Sequence, residues 1–334
     1  MIPPMPQGTS GAHSRRAVLA SCALLTAGVL AGCDVRLQRG APHIPGVPTQ
    51  SPPADAATLR AMLLRLRGLA ARAEGVGHVG GATSSAGHSS AAKPSARASD
   101  AVATHALWAA RLATIHHQQA TRLAAVIATE GISAPPSAPV AATGTLRQLR
   151  DLEVGGVGPR ALDGVAGVAP ENVPMLCSIA ATQGAGARML GAAVSWPSVA
   201  TPGPAALALL SDVRGCVYAL EVIAGRTPLK QRTLIAATLT TMYAARSRLV
   251  LAAGSSAPPA PVEYRLPVPV TDAAAARRLA QVMLGRVVAT CASQSPSTAG
   301  RVSQVGAVVR LWSEATAASW QWGVKPVPFP GLRE

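Results

Sequence analysis

The chain has 334 residues, carries 30 Lys and Arg against 15 Asp and Glu for a formal charge of +15, and is 49% hydrophobic but only 3% aromatic. So few aromatic rings, with arginines scattered along the chain, argue against a nucleic-acid partner, which needs a clustered basic face and stacking platforms. Lysine occurs only at Lys93, Lys230 and Lys325, and this arginine bias with abundant alanine suggests a coding bias more than a binding code.

Residues 1–32 read as a processing segment. Ser14-Arg15-Arg16-Ala17-Val18-Leu19 resembles a twin-arginine export motif, and the uncharged stretch that follows ends in Val29-Leu30-Ala31-Gly32-Cys33, which resembles a lipobox. The apolar run is shorter than the roughly 20 residues a spanning helix needs. The expectation is therefore an exported lipoprotein, with Arg15 and Arg16 as the export signal and Cys33 as the lipidated residue. It would be anchored on the outer face of the cytoplasmic membrane. Removing residues 1–32 takes two arginines and no acid and leaves +13; beside anionic headgroups each nearby cation contributes about 1 kcal/mol. Residues 33–54, rich in Pro, Gly and Gln, fit a disordered spacer.

An amphipathic helix is predicted over 55–74, where Leu59, Met62, Leu63, Leu66 and Leu69 recur at spacings of three and four. The interval 75–99 is rich in Gly, Ser and Ala. Its Gly75-Val76-Gly77-His78-Val79-Gly80 matches the dinucleotide-binding glycine pattern only formally, because no strand precedes it, and a flexible loop is expected. The next helix covers 100–129, with Trp108, Leu112, Ile115, Leu123 and Val126 on its apolar side and Gly131 as its stop. Residues 55–131 thus form a helical pair. A linker over 132–202 holds a short helix at 145–152 and a longer one at 171–194.

Four further helices follow at 204–224, 228–253, 272–290 and 301–322. Thr227-Pro228 and Thr271-Asp272 read as amino-terminal caps. Ile235, Leu239, Met242 and Leu249 make one apolar stripe and Leu279, Met283, Val287 and Cys291 another. The proline-rich segment 254–270 reads as a long crossover within a four-helix bundle over 203–323, before a tail at 324–334. No segment alternates as a strand should, so the fold class is all-α.

Glu263-Tyr264-Arg265-Leu266-Pro267-Val268-Pro269-Val270-Thr271-Asp272, with the alanines and arginines after it, resembles the uncharacterised ferritin-like domain family of high-GC Gram-positive bacteria. The resemblance runs from about residue 204 to 332 and includes a tryptophan-bearing last helix. It implies a ferritin-like bundle in an exported lipoprotein, with no established activity. The family pattern also implies a Glu-His pair five residues before the tyrosine of its first helix. Here, counting back from Tyr218, those places hold Val213 and Arg214.

A di-iron site takes about four carboxylates and two histidines. The four bundle helices contain Asp212, Glu221, Asp272 and Glu314, and the chain has no histidine after His117. No metal and no cofactor are therefore expected. Arg214, Tyr218 and Glu221 share a helical face and offer a polar network, or an exposed stripe with a weak ion pair; Arg310 and Glu314 read the same way. His105, His116 and His117 have no carboxylate or histidine three or four positions away and read as solvated or locally hydrogen-bonded. Cys177 and Cys216 fall at equal height about Trp196-Pro197 if their helices form a hairpin, which allows a disulfide; three buried free thiols are the alternative. Cys291 would stay unpaired. The functional expectation is a non-catalytic structural or binding role in the cell envelope, meeting anionic lipid or another envelope protein. The alternative is a degenerate ferritin-like metal-binding protein or oxidoreductase using the histidines with Glu221.

Overall fold

The computed structural model describes residues 53–82, 96–136, 144–196 and 205–333. Arg15, Arg16, Cys33 and nearly all of the expected spacer lie outside the described residues. Among the described residues the regular structure is entirely helical, an all-α helical bundle, and no helix is long and apolar enough to cross a membrane.

The leucine spacing that marked the first helix builds α1 (Ala56–Ala82), in which Leu59, Leu63, Leu66 and Leu69 are all fully buried. Each contributes about 1.5–3 kcal/mol relative to exposure. They pack against Leu112, Leu123 and Ile127 of α2 (Ala96–Thr129) and their neighbours. The flexible interval expected from residue 75 is instead helical as far as Ala82. Glycine in a helix costs about 1 kcal/mol relative to alanine. Gly77 faces α2, where a Cβ on it would make an ordinary contact, 3.5 Å from that of Ala110.

The expected linker holds α3 (Leu146–Gly155) and an unforeseen α4 (Pro159–Ala166). α3 starts at a capping box in which Thr145 Oγ1 accepts from the Gln148 amide and Gln148 Oε1 from that of Thr145. α4 has proline in its first turn and buries Leu162, Val165 and Ala166. Two turns with glycines at both flanks and one inside leave little periodicity to read.

α5 (Val173–Met189) and α9 (Val302–Gln321) form the centre and are buried on nearly every side. Small residues allow this. A Cβ on Gly184 would stand 2.4 Å from Ser313 Oγ, and one on Gly186 2.9 Å from a methyl of Leu112. Around α9, α6 (Ala205–Arg226), α7 (Thr233–Ala253) and α8 (Ala273–Gln294) complete a four-helix bundle in which α7 and α8 occupy opposite corners. The segment joining those two runs along α6. Arg214 donates to the Pro258 carbonyl (2.8 Å), Tyr264 lies against Gly215, and Arg226 donates to the Val270 carbonyl (2.5 Å).

Asp272 caps α8 as expected, accepting from the Ala275 amide at 2.7 Å. Thr227-Pro228 does not start α7. The Thr227 hydroxyl turns back to the Ile223 carbonyl, residues Leu229–Gln231 make a 3₁₀ turn, and α7 begins at Thr233.

The expected tail is a strap across the bundle. Val324 donates its amide to Ser319, Gln119 Nε2 donates to the Pro328 carbonyl (2.6 Å), and Trp312 and Ser178 both donate to Pro330. Gly331, at φ +83°, passes so close to α8 that a Cβ would meet the Val288 carbonyl at 2.8 Å.

Candidate functional site

The inner face of α2 runs Leu112, His116, Gln119 and Leu123, all buried. α3 buries only Leu149 and, one turn later, Glu153. The two helices bring His116 Nε2 to 2.8 Å from Glu153 Oε1, with both side chains at 0% exposure. On the other side of the ring, Nδ1 lies 3.0 Å from Gln119 Oε1. The Pro328 carbonyl can only accept, so it fixes the Gln119 amide with its oxygen toward the ring, and Nδ1 carries hydrogen. One further proton is then held between Nε2 and Oε1.

Burial lowers the pKa of His116, but the charge of Glu153 and the hydrogen bonds from Glu153 and Gln119 outweigh it, and Arg65 opposes them in part. The net displacement is upward. Arg65, from α1, donates Nη2 to the Leu152 carbonyl and Nε to Gln183 Oε1 at 3.3 Å. Burial lowers its own pKa against the opposing pull of Glu153. Glu153 Oε2 and Gln183 Nε2 are buried without a hydrogen-bond partner. Gly156 makes room for Gln183, because a Cβ there would overlap its Oε1 at 1.4 Å. His116 is thus neither solvated nor only locally bonded, as its sequence neighbours suggested. Its partner lies 37 positions away, and no local spacing signals it. The dyad joins α1, α2, α3, α5 and the strap, and it is closed to solvent.

The other histidines differ. His117 is 57% exposed and pairs with Glu74 at 2.7 Å. His105 has its pKa lowered by partial burial and by Arg150.

A second buried carboxylate corrects the reading of Arg310 and Glu314 as an exposed stripe. Glu314 is 5% exposed and accepts from Arg248 Nη2 at 2.5 Å and Arg310 Nε at 3.1 Å. Arg248 comes from α7 and ties that helix to α9, together with the bond from Trp322 Nε1 to Thr238.

Arg214, Tyr218 and Glu221 line one depression of about 270 Å³ with Arg246 and Tyr264, but each takes a different partner. Arg214 bonds the crossover, the Tyr218 ring lies 5.5 Å from that of Tyr264, and Glu221 accepts from the Tyr243 hydroxyl of α7 at 2.8 Å.

Cys177, Cys216 and Cys291 are buried free thiols, so the Cys177–Cys216 bridge is not formed. The hairpin it needed does not exist: α5 packs on α9, whereas α6 packs on α7 and α8. Burial pushes the Cys177 and Cys216 thiols up to about 12. Among the described residues, no three His, Cys, Asp or Glu side chains converge as metal ligands would.

The strap and α2 border two half-open cavities that share Gln118 and Pro328 in their walls. One, of about 720 Å³, reaches Arg111, Trp320 and Lys325; the other, of about 590 Å³, reaches Arg122, Met175 and Phe329. Both fall within the size range of small-molecule sites.

No curated protein and no solved structure matches the chain. Residues 206–334, comprising α6 to α9 and the strap, are similar to an uncharacterised family described as a domain of unknown function (DUF4439).

Proposed function

We propose that the protein is a lipoprotein of the cell envelope, exported by the twin-arginine route and tethered through Cys33, whose ferritin-like body serves a non-catalytic binding role. The observation that carries the non-catalytic reading is the closure of the His116–Glu153 dyad. Both side chains are at 0% exposure, so the pair best suited to proton transfer cannot reach a substrate. Its charges hold helices together instead. The ferritin-like reading is supported by the crossover, which links opposite corners of the bundle along α6. The envelope reading is supported by the Arg15-Arg16 and Cys33 motifs and by the surplus of basic residues.

The test is metabolic labelling with a fatty acid in a twin-arginine-competent host, followed by membrane fractionation. The intact chain should carry label and sediment with membranes. Cys33→Ser should be unlabelled and released, and replacing Arg15 and Arg16 together with lysine should leave an unprocessed precursor inside the cell. A labelled Cys33→Ser chain would refute the anchor.

A further inference from the structure

The larger cavity between α2 and the strap has features that neither the bundle's packing nor the tether uses. Arg111 and Lys325 both line it, both are exposed, and no acidic residue does. Arg111 is held in place: its guanidinium lies 4.9 Å over the Trp108 ring, and Trp108 stacks on Trp320 at 5.5 Å with an interplanar angle of 21°. The cation therefore rests on an aromatic wall instead of sweeping through solvent, which reduces the ordering cost of binding. Ile115 and Trp320 make one wall, and Val324, Pro326 and Val327 of the strap make the other. That second wall is pinned at both ends, by the Val324 amide on Ser319 and by Gln119 on the Pro328 carbonyl.

We infer that this cavity binds a single-chain anionic amphiphile. Its phosphate or carboxylate head would sit between Arg111 and Lys325, and its aliphatic chain against Ile115, Trp320 and Val327. Two cations without an acid select a negative head, and the apolar walls select a chain over an inorganic anion. Ile115 and Trp320, at 3% and 5% exposure, lie at the floor of a half-open cleft that a single free chain can enter and the surface of a bilayer does not reach. This inference rests on reading the body as a binding module and is independent of Cys33.

The experiment uses the full chain carrying Cys33→Ser, so that no acyl group of its own competes. Trp320 fluorescence, assigned with Trp320→Phe, is followed on titration with dodecyl phosphate below its micelle-forming concentration. Saturable one-to-one binding is expected. Arg111→Ala combined with Lys325→Ala should weaken it about tenfold or more, as loss of charged hydrogen bonds requires. Thr114→Trp, at an exposed α2 position facing the cavity, should block it. All three positions are exposed, so the variants should melt with the parent chain.

Inorganic phosphate and dodecyltrimethylammonium should not bind in the same range. Equal binding of the cationic probe, unchanged affinity in the variants, or displacement by a glutamate-rich peptide at equal concentration would overturn the inference. So would binding of phosphatidylglycerol vesicles in the absence of binding to dodecyl phosphate. None of these outcomes bears on lipidation, which the labelling experiment reads separately.

Discussion

Glu153 and Glu314 are both nearly withdrawn from water, yet they are neutralised in different ways. Glu153 faces a histidine at 0% exposure, with Arg65 close by and one oxygen unpartnered. Glu314 takes two arginines whose side chains are 31% and 32% exposed and reach the surface. The first arrangement depends on a proton and has no route to solvent. The second rests on two guanidinium groups and can be rehydrated. The amino-terminal helices are thus docked on α5 around a pair that shares a proton, and α7 is docked on α9 by two arginines that meet one carboxylate.

Removing each carboxylate should separate the two most clearly. Glu153→Ala strands buried positive charge and should cost about 3–5 kcal/mol. Glu314→Ala leaves two arginines that can turn to water and should cost about 1–3 kcal/mol. Urea unfolding of the two variants reads the difference, and equal losses would break the distinction. Gly184→Ala probes the packing of α5 on α9, the helices to which these two pairs reach. Forcing a methyl against Ser313 and Trp196 should cost about 1–3 kcal/mol by overpacking, seen as a lower melting temperature.

pH sharpens the contrast further. The folded-state pKa of His116 lies above its unfolded value. Its contribution to stability is therefore complete below the unfolded pKa, near 6.5, and declines as pH rises through the folded value. Unfolding measured from pH 6 upward should show this fall in the parent chain and in Glu314→Gln, and should lose it in His116→Gln. The smallest effect is expected at the exposed network. Tyr243→Phe removes the bond to Glu221 and should change stability by less than about 0.5 kcal/mol.

Much of the helical scaffold was legible in the chain. Leu59 to Leu69, Leu279 to Cys291 and the Asp272 cap are local patterns, in which side chains three or four residues apart share a face and a carboxylate meets an amide three residues on. The candidate site was not legible in this way. His116 and Glu153, Arg248 and Glu314, and Gln119 and Pro328 meet across 37, 66 and 209 positions. No periodicity encodes a partner at such a distance. Local readings failed too: residues 75–82 continue α1 alongside α2, Thr227-Pro228 does not start α7, and Cys177 remains free because α5 packs on α9 and not on α6.

The amino-acid sequence by itself determined most of the helices, the crossover and the apolar stripes that would leave water, because those follow from side-chain spacing and backbone chemistry. Tertiary structure alone decided which helices became neighbours, and hence which charges were buried together. Those choices depend on close approach at Gly184, Gly186 and Gly331 and on a strap laid across the finished bundle. They also decided where Arg111, Trp320 and Lys325 would meet around a cavity.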